Sequence, residues 1–249
     1  MSFTFNGINC ELNSMFVEKY PPRPIPQRKL QTYSIAGRSG DLIIDQDAFY
    51  NVVQEYQVFV KKNSIYDMQK WVSNIAKWLV GSAGYHELTD TYDPTIKRYA
   101  RVTNAVEFLN SLNQFGKATL QFDCKPQRFP VVDEEITGTA PEVANYANRS
   151  DLMPAYPVLT LSGVAANTSL TITDSNGLRI VIPTRGTAIA TIQIDWENQT
   201  VINPFNNSIP SGTSVSGAWQ KLGNGSTVTL VLDSGTAPSY SLKTRRFYL

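Results

Sequence analysis

Histidine is almost missing from this chain of 249 residues: His86 stands alone. A zinc or catalytic site that needs two imidazoles is therefore excluded. His86-Glu87 runs on into Leu88-Thr89-Asp90, which breaks the H-E-x-x-H pattern. A lone histidine of this kind is expected at the surface or at a strand end. Cysteine occurs twice, at Cys10 and Cys124, without metal-ligand spacing and without enough partners for a disulfide framework. Both are expected to be buried free thiols, which fits folding in a reducing compartment. No run of eighteen apolar residues occurs, so no membrane span is expected. The opening residues, MSFTFNGINC, lack a basic stretch followed by an apolar core and are not expected to act as a signal peptide. Charge of either sign is not in excess. The net charge is +1, which gives no electrostatic case for nucleic acid. No G-x-S-x-G elbow is present. The two glycines of Gly37-Arg38-Ser39-Gly40 are not followed by a Lys-Ser pair or a helix start, which excludes a P-loop. No cofactor is implied.

What the sequence does contain is apolar alternation. An apolar fraction of 42% suits a folded chain, and the length allows one large or two medium domains. One stretch stands out as helical, from about Ile65 to Val80. Ile65, Met68, Val72, Ile75 and Leu79 recur at steps of three and four and share a face, flanked by Trp71 and Trp78. Ser64 is the expected N-cap, and Gly81 and Gly84 bracket the end. The other periodic stretches read as strands. Phe3 to Phe5 precedes a turn at Asn6-Gly7, and Met15 to Lys19 follows. Pro21 to Pro26 (PPRPIP) must be extended and cannot lie inside a sheet. Leu30 to Ile35 resumes as a strand, Ala36 to Asp41 is a turn, and Asn51 to Lys61 alternates into the helix. Beyond the helix come Tyr85 to Leu88, a turn at Asp90 to Pro94, and two long strands at Arg98 to Val106 and Lys117 to Cys124.

Periodicity fades after Pro126, and residues 131–154 read as a linker or crossover between a domain at 1–130 and one at 155–249. From Pro157 onward the chain is nearly pure β. Leu170 and Ile172, a DSNG turn at Asp174 to Gly177, and Leu178, Ile180 and Ile182 form a hairpin. Short strands at this spacing suggest a two-sheet sandwich. The expected fold is thus mainly β: two sandwich-type domains, the first holding the single helix.

Several residue groups could carry chemistry. Asp90 with Asp93, and Asp195 with Glu197, could in principle act as paired carboxylates. All four lie on expected turns, where Asp and Glu serve local hydrogen bonds, and Asp195 is expected to face solvent. Trp196 falls in phase with Ile192 and Ile194 and reads as core. Trp219 sits in a polar stretch and is the candidate for stacking on a sugar. The N-x-S/T sequences at Asn148, Asn167, Asn198, Asn206 and Asn224 read as turns. For contacts with another copy of the chain, Pro22, Arg23 and Pro24 of the proline segment and Arg38 and Asp41 of the glycine turn are the candidates. Lys70 and Lys77, on the helix face away from the stripe, are either solvated or in contact with such a copy.

The order of these pieces resembles a known family. A Phe-x-Phe-Asn-Gly start at Phe3 to Gly7 is followed by a Gly-Arg-x-Gly turn at Gly37 to Gly40. A tryptophan-containing helix ending at Leu79 comes next. Then follow L-x-D-x-Y-D-P at Leu88 to Pro94, Tyr99-Ala100-Arg101-Val102, and an aromatic-led strand from Phe122 to Phe129. This is similar to the distal tail protein family of long-tailed, non-contractile bacteriophages. The resemblance is good over residues 1–130 and looser over 155–249. It implies an N-terminal sandwich with one helix that closes into a ring of six at the tail tip. It implies a galectin-like C-terminal sandwich, akin to a carbohydrate-binding module. The implied partners are further copies of the chain, the major tail tube protein, the tail-tip or tail-associated protein, and baseplate or receptor-binding proteins. No catalysis is implied. The implied location is the virion, after synthesis in the host bacterial cytoplasm. Some members carry inserted modules, and a second domain of about ninety-five residues leaves little room for one. A carbohydrate-binding adhesion protein acting through the second sandwich, at Trp219, is the alternative reading.

Overall fold

The computed structural model describes residues 1–61, 65–103, 109–111, 115–146, 149 and 151–249, with backbone alone at 65, 66, 68, 109–111 and 115. The expected cap at Ser64 and the strand end at 104–106 lie outside the described residues. The chain forms two compact units, Met1–Val131 with Leu249, and Val132–Tyr248.

Among the described residues, the first unit has ten strands. They are β1 (Phe3–Phe5), β2 (Ile8–Asn9), β3 (Met15–Val17), β4 (Arg28–Tyr33), β5 (Leu42–Phe49), β6 (Val52–Lys61), β7 (His86–Asp90), β8 (Ile96–Val102), β9 (Leu109–Ser111) and β10 (Phe115–Pro130). Its helix, α1, spans Ile65–Val80, between β6 and β7. Eight of the strands form one antiparallel sheet in the order β2-β1-β7-β8-β10-β6-β3, with β9 also on β10. The sheet rolls until its ends approach. Phe3 of β1 stacks on Tyr56 of β6 at 4.8 Å, although β7, β8 and β10 lie between those strands. The Val17 N–H of β3 donates to the Met1 carbonyl at 3.4 Å. The roll encloses a core of Phe3, Phe5, Met15, Tyr56, Leu120 and Phe122. This supplies the sandwich-like interior expected for the domain from one continuous sheet.

The helix packs on this core with a face that differs from the expected one. Trp71, Ile75, Trp78 and Leu79 are buried, whereas Val72 is 39% exposed. The tryptophans set the rotation. Each indole is the largest apolar surface available, and each N–H needs an acceptor once buried. Trp78 Nε1 donates to the Phe5 carbonyl at 3.0 Å, and Trp71 Nε1 donates to the Asn13 carbonyl. With those two bonds made, Val72 turns toward solvent. Lys70 and Lys77 are exposed, and the Gly81 N–H closes the last turn on the Lys77 carbonyl at 3.1 Å.

The second unit is a sandwich of two five-stranded sheets. Its strands are β11 (Glu135–Thr139), β12 (Glu142–Asn145), β13 (Val158–Val164), β14 (Ser169–Asp174), β15 (Arg179–Pro183), β16 (Ile189–Asp195), β17 (Thr200–Ile202), β18 (Ser214–Ser216), β19 (Thr227–Ser234) and β20 (Ser239–Lys243). One sheet runs β11-β20-β13-β16-β17 and the other β12-β19-β14-β15-β18. The DSNG hairpin forms as expected, with Leu170 opposite Ile182 and Ile172 opposite Ile180. Trp196 is fully buried in the core between the sheets. The expected linker at 131–154 is a correction: it supplies β11 and β12, one strand to each sheet. Its inward positions include Ala140 and Ala144, both buried, and such small side chains leave little hydrophobic alternation to read. Strand β5 was not foreseen either, because Leu42-Ile43-Ile44 do not alternate.

Both thiols are buried and free. Burial pushes the Cys124 thiol up from 9.0 to about 12, outweighing the opposing pull of Arg98. A thiol raised in the folded state stays protonated there, so its contribution is complete below pH 9 and is lost as pH rises through about 12. At pH 8 the folded chain should not react with a thiol reagent such as Ellman's, and two thiols should titrate once it is unfolded. For the helix face, Ile75→Asp should cost about 3 kcal/mol or more, whereas Val72→Asp should cost less than about 1 kcal/mol. Urea unfolding measures both, and equal losses would show the face to be assigned wrongly.

Candidate functional site

Strands β4 and β5 leave the rolled sheet and pair with each other alone among the described residues. Their ribbon is held at its root and at its turn. The Tyr50 N–H donates to the Gln27 carbonyl at 2.8 Å, and the Arg38 N–H donates to the Ile35 carbonyl at 3.1 Å. Gly37 and Gly40 both adopt positive φ, at 80° and 84°, which explains the glycine spacing of the turn. Near the root, Arg28 pairs with Asp45 at 3.1 Å and lies over the Phe49 ring at 5.4 Å.

Register fixes the two faces of the ribbon. Leu30 lies opposite Asp45, Gln31 opposite Ile44, Thr32 opposite Ile43, and Tyr33 opposite Leu42. Alternation therefore places Leu30 and Ile43 on one face and Tyr33, Leu42 and Ile44 on the other. All five are exposed, Ile43 to 59%. An isolated two-stranded ribbon is marginal in water, and one that is apolar on both faces has nothing of its own to bury.

The proline segment leads into this ribbon along a seat on its own unit. Gln54, buried on β6, donates through Nε2 to the Pro22 carbonyl at 2.9 Å. An Arg23 N–H donates to the Tyr92 carbonyl at 3.4 Å, and the Tyr20 ring meets Tyr92 edge-on at 4.9 Å. A small, partly open recess borders the segment, lined in part by Pro21, Pro22, Tyr56, Asp90 and Arg98. Tyr56 donates to Asp90 Oδ2 at 2.7 Å. Burial first, and the Asp90 charge second, hold its phenol well above the usual range. The five expected contact residues thus fall in two places. Pro22 and Arg23 touch their own unit, Pro24 follows them, and Arg38 and Asp41 are exposed at the ribbon turn.

The carboxylates weighed for chemistry hold turns. Asp90 Oδ1 accepts from the Tyr92 and Asp93 N–H groups at 3.0 and 2.9 Å, and Asp93 accepts from Thr95. Asp195 is buried rather than solvent-facing. It accepts from the Glu197 N–H at 2.9 Å, the Asn198 N–H at 3.2 Å and Asn198 Nδ2 at 3.0 Å, which satisfies its charge beneath the turn. Trp219 is half-buried and meets Trp196 edge-on at 5.6 Å. His86 opens β7, edge-on to Phe5 at 5.8 Å. Among the described residues, no group of three or more His, Cys, Asp or Glu side chains could hold a metal ion. No described helix is long and apolar enough to cross a membrane.

Residues 9–124 match the family model of the phage tail protein RIFT-related domain. That stretch, a little under half of the chain, is similar to the phage tail proteins that carry this domain. Over nearly its whole length its fold is that of the Dit protein (gp 19.1) of phage SPP1. The two are 15% identical, the match covers 99% of this chain and 98% of that one, and the TM-score is 0.74. Chains of the phage P2 baseplate in its activated conformation, with Ca and with Sr, are less similar. They are 9% and 10% identical, cover 92% of this chain and 90% of theirs, and have TM-scores of 0.42 and 0.39. No curated protein matches the chain.

The seat of the proline segment gives a test. Replacing Gln54 with Ala leaves the Pro22 carbonyl without its buried donor, at a cost of about 1–3 kcal/mol. Trypsin should then cleave after Lys19 faster than in the parent chain. Unchanged digestion would show that other contacts hold the segment.

Proposed function

We propose that this chain is a structural hub of a phage tail tip. Six copies close into a ring that joins the tail tube protein to the tail-tip or tail-associated protein and to baseplate or receptor-binding proteins. The observation that carries this reading is the β4–β5 ribbon, apolar on both faces and exposed on both. Such a ribbon gains stability when another surface covers it, and every copy of the chain brings one. A head-to-tail contact of suitable rotation repeats until it closes. The similar SPP1 protein is described as a paradigm of hub adsorption apparatus in phages infecting Gram-positive bacteria, which supports placing this chain in the virion at the same kind of junction. Synthesis would take place in the host cytoplasm. The role asks for no cofactor and no catalysis. The carboxylates that could have served a hydrolase are engaged in turns, which favours the hub over an enzyme.

Light scattering of the purified chain tests the ring. Six chains of 27.7 kDa give about 166 kDa, and a chain that stays monomeric at every concentration overturns the proposal. The double substitution Ile43→Asp with Ile44→Asp loads both ribbon faces with charge and should yield a folded monomer with unchanged melting. Arg38→Glu should also weaken assembly. Normal rings from that variant would remove the ribbon turn from the contact.

A further inference from the structure

Asparagine followed by glycine occurs three times, at Asn6-Gly7, Asn176-Gly177 and Asn224-Gly225. In such a pair the glycine nitrogen can attack the asparagine side-chain carbonyl, and glycine has no side chain to hinder the approach. The reaction needs a glycine N–H able to lose its proton and an asparagine side chain able to turn toward it. The fold treats the three pairs differently. Asn224 is held by its side chain: Oδ1 accepts from the Arg149 N–H at 3.0 Å and from the Arg246 guanidinium. The second pair is held at both residues. The Gly177 N–H donates to the Asp174 carbonyl at 3.1 Å, and Asn176 Nδ2 donates to the Lys221 carbonyl at 3.3 Å.

Asn6 and Gly7 form the two-residue turn between β1 and β2, with positive φ at both, 49° and 76°. Both are exposed. The Asn6 backbone N–H donates to the Glu87 carbonyl at 3.0 Å. Among the described residues, neither the Asn6 side chain nor the Gly7 N–H has a hydrogen-bond partner. A side chain placed at Gly7 would meet nothing within 4 Å, so the space beside the turn is open.

We infer that Asn6 is a site of spontaneous deamidation, and the first of the three to react in the folded chain. Hydroxide removes the Gly7 amide proton, and the nitrogen bonds to Asn6 Cγ. The Cγ–Nδ2 bond breaks, and ammonia leaves with a proton taken from water, which closes a succinimide. Water then opens the ring. Cleavage between the nitrogen and Cγ gives aspartate. Cleavage between the nitrogen and the backbone carbonyl gives isoaspartate, whose main chain is longer by one carbon. In sum one water is consumed, one ammonia is released and one negative charge is gained. The aspartate form keeps the turn, since Asp tolerates positive φ. The isoaspartate form does not fit a loop whose length sets Thr4 opposite Asn9 and Phe5 opposite Ile8. Phe5 is buried and its carbonyl accepts from the Trp78 indole, so the change reaches the core.

Peptide mapping of the full chain tests the inference. The folded chain is held at mildly alkaline pH and then cut with trypsin, which places the three pairs in peptides 1–19, 150–179 and 222–243. Peptide 1–19 should gain the mass of an amide-to-acid exchange about tenfold faster than the other two, because each of those pairs must first break a hydrogen bond. Fragment ions should place the change at Asn6, and isoaspartyl methyltransferase should label the same peptide. In urea, where the hydrogen bonds are gone, the three should react at similar rates. Asn6→Asp should melt as the parent does and should not acquire the label at that position. Faster conversion of Asn176 or Asn224 in the folded chain would overturn the inference. Equal rates for all three in the folded chain would overturn it as well, and so would a lead for Asn6 that persists unchanged in urea.

Discussion

The contact between Phe3 and Tyr56 is the constraint from which the N-terminal unit follows. These rings belong to strands separated by three others in hydrogen-bonding order, so they can meet only if the sheet rolls. Phe122 completes the group, edge-on to Phe3 at 5.5 Å and to Tyr56 at 5.8 Å. Aromatic rings in these offset and edge-on arrangements add to the burial of their area. Once the sheet is rolled, its interior is nearly full, and one open side is left for a cover. The helix supplies it, and its two indole N–H groups find the carbonyls of Phe5 and Asn13, on the strand and turn that the roll brings close.

Rolling also decides what is left outside. A sheet rolled until its ends approach shields part of its edges, which limits pairing with other strands. The β4–β5 ribbon escapes this economy. It hangs between two anchors, the proline segment seated on Gln54 and Tyr92 and the stretch after β5, where Asn51 Nδ2 donates to Tyr85 Oη at 2.6 Å and to Asp123 Oδ2 at 3.0 Å. Asp123 also accepts from Arg101 Nε at 2.9 Å, and that bond holds the guanidinium above its usual range. The root of the ribbon is thus fixed by polar bonds, while Leu30, Tyr33, Leu42, Ile43 and Ile44 stay exposed along it.

The second unit uses its carboxylates inwardly. Asp174 accepts from the Trp196 indole N–H at 3.0 Å and from the N–H groups of Asn176 and Leu178, so one side chain ties the DSNG turn to the core between the sheets. Asp195 does similar work under its own turn. Clusters of Asp near aromatic rings can look like chemistry in a sequence. Here their oxygens are filled by backbone donors, the ordinary fate of Asp at tight turns.

The sequence by itself determined much of this. The helix at Ile65–Val80 was legible because a 3.6-residue period over sixteen positions has no strand equivalent. The DSNG hairpin was legible because turn chemistry and flanking alternation coincide, and the order of motifs carries the resemblance to phage distal tail proteins. Tertiary structure alone decided the rest, for reasons that are physical. Val72 and Trp71 are neighbours on the helix, and which of them is buried depends on where acceptors for the indole N–H groups lie. Ala140, between β11 and β12, and Ala144, in β12, carry too little side chain to mark this stretch as part of a sandwich. Ile43 and Ile44 read as an unpatterned apolar pair until register shows that they point to opposite faces of a ribbon with no cover of its own. Alternation reports burial within one chain, and a ribbon left exposed on both faces leaves no such mark.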